Sequence, residues 1–141
     1  MIGKENQLAT VPIGALEHWH KQNEIKLTVP FPPSVNHYTI KHRFGVTKTP
    51  KAKAYNQTIY FDVKLQDANL KLDIPLFVTY NFWLPDRRKR DIANYEKVLT
   101  DSLVIAGVMT DDHLIHKWQM ERMGICKGGK VEIIIKPYQH S

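Results

Sequence analysis

Apolar and β-branched runs bounded by turn residues predict four strands, at residues 25–29, 76–83, 113–125 and 130–136. The first strand stops at Pro30, because proline cannot donate to a strand ladder. The second is apolar on both faces, which indicates a central strand. The last two are joined by Lys127-Gly128-Gly129-Lys130, a sequence typical of a hairpin turn.

Two other segments repeat their apolar residues at spacings of three and four, the period of an amphipathic helix. Thr49 and Pro50 supply the first helix with a cap and a first residue. Its stripe consists of Ala52, Tyr55, Ile59, Val63, Gln66 and Leu70. The second helix runs from about Asp91 to Ala106 and is closed by Gly107. Its polar side contains Asn94, Lys97 and Asp101, opposite Ile92, Tyr95, Leu99 and Leu103.

These elements give the order β-α-β-α-β-β, an α+β class with a small mixed sheet and two helices. Residues 25–138 are predicted to form one domain. Residues 1–24 are predicted to be an N-terminal extension that packs loosely or on a partner. Residues 34–48 show no period and predict a basic, partly aromatic loop.

Charge and cysteine content narrow the function. The formal net charge of +6 and the pI near 9.4 favour a polyanionic partner. Cys126 is the only cysteine, which excludes an intramolecular disulfide and a cysteine-based zinc site. The sequence has no apolar run of membrane-spanning length, and residues 1–20 lack the layout of a signal peptide. We therefore expect a cytoplasmic protein without membrane contact.

The most informative segment is a run of four cations, Arg87, Arg88, Lys89 and Arg90, that leads directly into Asp91. A basic loop can hold DNA phosphates, and an adjacent aspartate can hold a divalent metal ion against the phosphate under attack. The alternative is a solvated charged loop, with Asp91 as an ordinary helix cap. Asp112 offers a second carboxylate, and it is equally typical of a turn.

Four collinear segments carry a family resemblance. Val29-Pro30-Phe31-Pro32-Pro33-Ser34-Val35-Asn36 is followed by Pro85-Asp86-Arg87-Arg88-Lys89-Arg90-Asp91-Ile92-Ala93-Asn94. Ala106-Gly107-Val108 with Asp111-Asp112 comes next, and then Lys127-Gly128-Gly129. Over about residues 25–136 these segments resemble the RusA family of Holliday junction resolvases, whose motifs read PWPPSxN, P-D-R-R-x-R-D-L-D-N, A-G…D-D and K-G-G. The resemblance implies a RusA-like fold.

Members of that family are small homodimers that nick four-way DNA junctions in recombination and repair. The resemblance implies Mg²⁺ or Mn²⁺ held by Asp91 and Asp112, with Lys97 as a third catalytic residue. It also implies that Arg87, Arg88, Lys89, Arg90 and Asn94 bind nucleic acid.

One position departs from the family pattern: Ala93 stands where a metal-binding aspartate is expected. The departure could be an engineered inactivation, natural degeneration, or a change that Glu96, Asp86 or Asp111 compensates. Two functions remain open, a metal-dependent junction endonuclease with impaired activity and a non-catalytic junction- or DNA-binding protein. A general DNA- or RNA-binding domain is a third reading, which rests on charge alone.

Overall fold

The computed structural model describes Trp19 and residues 24–139. Within residues 24–139, six strands and two helices occur in the order β-β-β-α-β-α-β-β. The strands are β1 (Ile25–Val29), β2 (Thr39–His42), β3 (Gly45–Lys48), β4 (Leu76–Leu84), β5 (Ile115–Ile125) and β6 (Lys130–Pro137). The helices are α1 (Pro50–Leu65) and α2 (Ala93–Ile105), and short 3₁₀ turns cover Val35–His37 and Asp112–Leu114.

Four strands form a mixed sheet in the order β1-β6-β4-β5. β4 pairs antiparallel with β6 and parallel with β5, so the prediction of a central strand is confirmed. Its side chains alternate between buried and half-buried positions, which leaves neither face fully exposed. The predicted α+β class, with a small mixed sheet and two helices, is also confirmed.

The predicted hairpin between the last two strands is wrong. β5 and β6 lie on opposite sides of β4, and the turn between them passes over the end of β4. There, the backbone N–H of Cys126 donates to the carbonyl of Leu84 at 2.8 Å. Gly128 and Gly129 do adopt positive φ angles of 82° and 72°, as a glycine turn requires. The turn at Gly128 and Gly129 is therefore present as predicted, but its sequence does not show that β4 lies between β5 and β6.

The second correction concerns residues 34–48, which the sequence predicts to be a loop. They form the 3₁₀ turn and a separate two-stranded sheet of β2 and β3, which adds two strands to the predicted order. Because every residue of β2 and nearly every residue of β3 is exposed, no buried face imposes an apolar alternation. The period-2 signal of a half-buried strand is absent for this reason.

Helix α1 begins as predicted. Thr49 caps it, since its side-chain oxygen accepts the N–H of Ala52 at 3.1 Å, and Pro50 is the first helical residue. The helix ends at Leu65, so the last two residues of the predicted stripe lie beyond it. The side-chain amide of Gln66 instead pairs with both backbone groups of Thr28 in β1, at 2.8 Å each.

Helix α2 packs against β4 and α1. The hydroxyls of Tyr80 and Thr100 form a buried hydrogen bond of 2.8 Å between β4 and α2. Two described residues belong to the predicted N-terminal extension: Trp19 is buried in the core, and Glu24 pairs with Lys26 at 3.3 Å. The rest of that extension lies outside the described residues. Among the residues described, no helix is both long and apolar enough to cross a membrane.

Candidate active site

The basic loop, residues 86–90 between β4 and α2, is organised around Asp86. Its carboxylate accepts the backbone N–H of Arg88 at 2.9 Å and pairs with the Arg88 guanidinium at 3.3 Å. The Arg90 guanidinium binds both carboxylate oxygens, the second at 3.2 Å. These contacts, that of Arg90 foremost, hold the pKa of Asp86 well below its usual range. Asp86 therefore supplies an internal anion that offsets part of the repulsion among the four cations.

Arg90 differs from the other cations of the loop. Its side chain is 14% exposed, against 78% for Arg88, and its guanidinium lies 6.0 Å from the centre of the Phe31 ring. The guanidinium of Arg122, on β5, donates to the carbonyl of Arg90. Arg90 therefore ties the loop to the body of the protein, and its contact with DNA stays a prediction.

Arg87 and Lys89 are exposed, so together with Arg88 they direct three positive side chains towards solvent. A cleft of about 390 Å³ lies beside them. Its lining includes Phe31, Pro32, Pro33, Ser34, His37, Lys51, Arg88, Lys89, Arg90 and Tyr95. The PPS segment of the first motif thus faces the cations of the second, which explains how two distant sequence segments contribute to one surface.

Asp91 precedes the N-cap of α2, which is Ile92 and makes no side-chain cap bond, so the predicted helix start at Asp91 is two residues too early. Its carboxylate accepts the N–H of Ala93 at 3.1 Å, and its carbonyl accepts the N–H of Asn94 at 3.0 Å. Ala93 is the first residue of α2, and its methyl group is exposed. A carboxylate has about four acceptor positions on its two oxygens. The bond from Ala93 therefore leaves Asp91 with the capacity to bind a cation as well.

Asp112 begins the 3₁₀ turn that follows α2. It lines a second cleft, of about 280 Å³, together with Lys48, Asp101, Val104, Ile105 and Asp111. Asp111 is occupied locally, because its carboxylate accepts the N–H of His113 at 3.0 Å and lies 3.1 Å from that imidazole. These bonds, the backbone N–H first, lower the pKa of Asp111 to about 2. Asp111 is thus poorly placed to replace a ligand near Ala93.

Glu96 lies on α2 between Ala93 at its start and Asp101, which lines the cleft that contains Asp112. It is half-buried on α2, and its carboxylate accepts the hydroxyl of Thr100 at 3.3 Å. Burial raises the pKa of Glu96, and the charges of Asp101 and Asp112 raise it further. The hydrogen bond from Thr100 and the charge of Lys97 oppose that shift. The face of α2 that follows Ala93 is therefore acidic, with Lys97 as its exposed cation.

The predicted ligands have oxygen donors, the type that Mg²⁺ and Mn²⁺ prefer. Among the described residues, however, no three His, Cys, Asp or Glu side chains are grouped to hold a metal ion. Asp112 shares its cleft with Asp101, which is ten residues from Asp91, a helical rise of about 15 Å. The donors fit in type and fall short in number, and the convergence of Asp91 and Asp112 on one ion stays a prediction.

Sequence reasoning missed the organising role of Asp86 and the contributions of Lys48 and Lys51 to the two clefts. Asp86 precedes Arg88 and Arg90 by two and four residues, but this spacing predicts a pair only on a helix, and then only with Arg90. Lys48 and Lys51 carry no comparable local signal, since only the tertiary fold brings them to the clefts.

Comparisons with known proteins address the family directly. The model of the family Endodeoxyribonuclease RusA matches residues 30–136. The chain is 31% identical over 113 residues to the crossover junction endodeoxyribonuclease RusA of Escherichia coli O139:H28, covering 80% of this chain and 94% of the relative. It is 30% identical, with the same coverage, to the proteins of that name from Escherichia coli K12 and Enterobacteria phage 82. The chain therefore belongs to the RusA family of endodeoxyribonucleases.

Proposed function

We propose that this chain has the scaffold of a Holliday junction resolvase, which is a structure-selective endodeoxyribonuclease. In this proposal, the chain binds four-way DNA junctions in recombination and repair. The relatives are named for crossover junctions, and the net charge of +6 suits a DNA partner. The observation that carries the proposal is the basic loop, in which three outward cations and the internal Arg90 precede Asp91, just before α2.

In this proposal, Arg87, Arg88 and Lys89 bind backbone phosphates and set the DNA against the start of α2. Arg90 and Asp86 hold these cations in place, because their ion pair fixes the loop. The side-chain amide of Asn94, half-buried in the first turn of the helix, contributes a neutral polar contact to the same DNA strand.

Asp91 and Asp112 would hold Mg²⁺ or Mn²⁺. When bound, the ion would activate water and stabilise the charge that develops on the scissile phosphate. Lys97 is exposed one turn beyond Ala93, so its ammonium group can neutralise charge on the phosphate or the leaving oxygen. Because Ala93 supplies no carboxylate, we expect weak metal binding and little or no cleavage by this chain.

The decisive experiment is cleavage of a synthetic four-way junction with and without Mg²⁺. We expect junction binding without nicking by the parent, and Mg²⁺- or Mn²⁺-dependent nicking by Ala93→Asp. Asp91→Asn in the Ala93→Asp background should remove the activity again. An Ala93→Asp variant that folds and binds junctions, yet stays as inactive as the parent, would show that position 93 is not the missing ligand.

We also propose that the chain is a homodimer, because symmetric cleavage of a junction suits a two-fold protein. β5 is an edge strand of the sheet, and Trp118, Met120 and Met123 on it are 41%, 37% and 42% exposed. Unpaired edges with apolar side chains favour association.

Light scattering at micromolar concentration should give a dimer mass that Trp118→Glu lowers. Leu65→Glu, on the exposed side of α1, should leave it unchanged. A monomer mass for the parent contradicts the proposal.

A second candidate is a junction- or DNA-binding protein without nuclease activity. It is favoured by Ala93 and by the absence of a three-carboxylate group among the described residues. The two candidates differ in one measurement, since only a nuclease nicks the junction in Mg²⁺. Competition with linear duplex separates both from a general nucleic-acid-binding domain, which would show no preference for the junction.

A further inference from the structure

The β2–β3 hairpin, residues 39–48, is separate from the main sheet. Its strands pair only with each other in register, from Thr39 opposite Lys48 to His42 opposite Gly45. Its base is fixed, because the N–H and the hydroxyl of Thr49 donate to the carbonyls of Tyr38 and His37, at 2.9 Å and 2.7 Å. The hairpin is thus an exposed ribbon on an anchored base.

The tip of the ribbon carries an aromatic ring without cover. Phe44 is 86% exposed, more than any other large apolar residue in the described part of the chain. Its N–H donates to the imidazole of His42 at 3.2 Å, and the Arg43 guanidinium lies 5.6 Å from the ring centre. The tip therefore presents a phenyl ring next to a cation, a combination that suits a nucleobase beside a phosphate.

The charge around the hairpin selects the partner. Between Glu24 and Asp62 the sequence contains no acidic residue, while it contains Lys26, Lys41, Arg43, Lys48, Lys51 and Lys53. Strand pairing places Lys41, Val46 and Lys48 on one face of the ribbon. This face carries two lysines and no carboxylate, which favours a polyanion over a protein surface of mixed charge.

The hairpin also stands beside the proposed site of chemistry. Lys48, its last residue, lines the cleft that contains Asp101, Asp111 and Asp112. A ligand that lies along the ribbon therefore reaches the acidic face of α2 at the other end. The basic loop, which precedes α2, provides a second positively charged binding surface for the same ligand.

We infer that the β2–β3 hairpin is a DNA-binding ribbon, and that Phe44 inserts at the branch point of a junction. The inference rests on the proposed function and adds a site to it. A two-stranded ribbon fits the major groove, and apolar side chains act as wedges that unstack base steps. At a branch point the bases are already incompletely stacked, so the insertion is less costly there than in a linear duplex.

The test compares Phe44→Ala with Phe61→Ala, which removes a 54% exposed ring from α1. Binding is measured in EDTA to a four-way junction with 2-aminopurine at the branch point and to a linear duplex of the same sequence. The wild-type protein should increase the 2-aminopurine fluorescence, which reports unstacking. Phe44→Ala should lose this increase and bind the junction about tenfold more weakly, as expected for one lost stacking contact. Phe61→Ala should behave as wild type.

Lys41→Ala provides an independent measurement. It should reduce the slope of log affinity against log salt by about 0.9 if Lys41 neutralises one phosphate. Lys64→Ala, on the last turn of α1, serves as its control and should keep the slope.

The outcomes are distinguishable. Wild-type protein that does not bind the junction overturns the proposed function and this inference together. Wild-type binding that Phe44→Ala and Lys41→Ala leave unchanged overturns the inference alone. A lower mass of Phe44→Ala in light scattering, with fluorescence as in wild type, also overturns it, because the hairpin would then contact a second copy of the chain.

Discussion

Replacing Gly129 by alanine should damage both stability and DNA binding, and Gly128 provides the matched control. Both glycines have positive φ angles, where an alanine costs about 1 kcal/mol. A Cβ at Gly128 meets nothing within 4 Å. A Cβ at Gly129 would lie 2.8 Å from Cβ of Phe31 and 3.1 Å from Cδ of Pro85. Neither atom can move by a change of rotamer, since one is fixed to the backbone and the other belongs to a ring.

The magnitude follows from these contacts. Overpacking of this kind costs about 1–3 kcal/mol. We therefore expect Gly128→Ala to lower the free energy of unfolding by about 1 kcal/mol and Gly129→Ala by about 2–4 kcal/mol. Pro85 directly precedes the basic loop and Phe31 packs against Arg90, so the clash should also displace the DNA-binding cations. Gly129→Ala should then bind junctions more weakly than Gly128→Ala.

Urea denaturation measures the stability difference, and junction binding in EDTA measures the effect on the loop. Binding must be measured at a temperature where both variants are fully folded, so that unfolding does not imitate a loss of affinity. Equal losses of stability in the two variants would refute the steric argument. A large loss for Gly129→Ala with unchanged junction affinity would refute the coupling to the basic loop.

The remaining predictions separate structural from electrostatic roles. Arg87→Ala should reduce the salt slope of junction binding by about 0.9 and leave the stability unchanged, because its side chain is exposed; an unchanged slope marks a solvated loop. Arg90→Ala should instead lower the urea midpoint, since it removes a largely covered guanidinium that pairs with the partly exposed Asp86; an unaltered midpoint contradicts this assignment. Glu96→Gln should raise stability at neutral pH, because the folded state raises the pKa of Glu96 and so favours its protonated form. This gain should disappear as the pH falls below the ordinary Glu pKa, and a gain that persists in acid would disprove its origin.

The parts of the fold that local chemistry determines could be predicted from the sequence. The cap at Thr49 and the apolar stripes of both helices are local features. The central position of β4 is indicated by its own residues, which are mostly apolar on both faces. Strand order is different, because it depends on which strand fills a gap between two others. Gly128 and Gly129 specify a turn equally well whether β5 and β6 are neighbours or lie on either side of β4. The β2–β3 hairpin could not be predicted, because its residues are nearly all exposed and do not alternate between apolar and polar.

The candidate site shows the same division. The basic run and Asp91 are visible in the sequence, because they are contiguous. The sequence could not show that Asp86 neutralises part of that run and that Arg90 is an internal tie, since both depend on side-chain geometry. Nor could the sequence show that Asp112 shares a cleft with Lys48 and Asp101, because the three residues belong to three separate elements.

Position 93 offers a direct separation of structural from chemical requirements. Ala93 is exposed at the first residue of α2, where nothing in its surroundings demands a methyl group. An aspartate there gains about 0.3–1 kcal/mol from the helix dipole and about 0.2–0.5 kcal/mol from Lys97 one turn later. Repulsion from Asp91 offsets part of this gain, so Ala93→Asp should be about as stable as the parent in EDTA.

Mg²⁺ should then distinguish the variants. The added carboxylate is two residues from Asp91, so the ion should stabilise Ala93→Asp against urea by relieving the repulsion between the two charges. Ala93→Asn has the same shape without the charge, and Mg²⁺ should affect it as little as it affects the parent. If Mg²⁺ stabilises the asparagine variant equally, the effect does not come from a second carboxylate. If it stabilises none of the three proteins, the Asp91 carboxylate serves only the turn bond to Ala93, and the metal ligands must be sought between Glu96 on α2 and Asp112 beyond that helix.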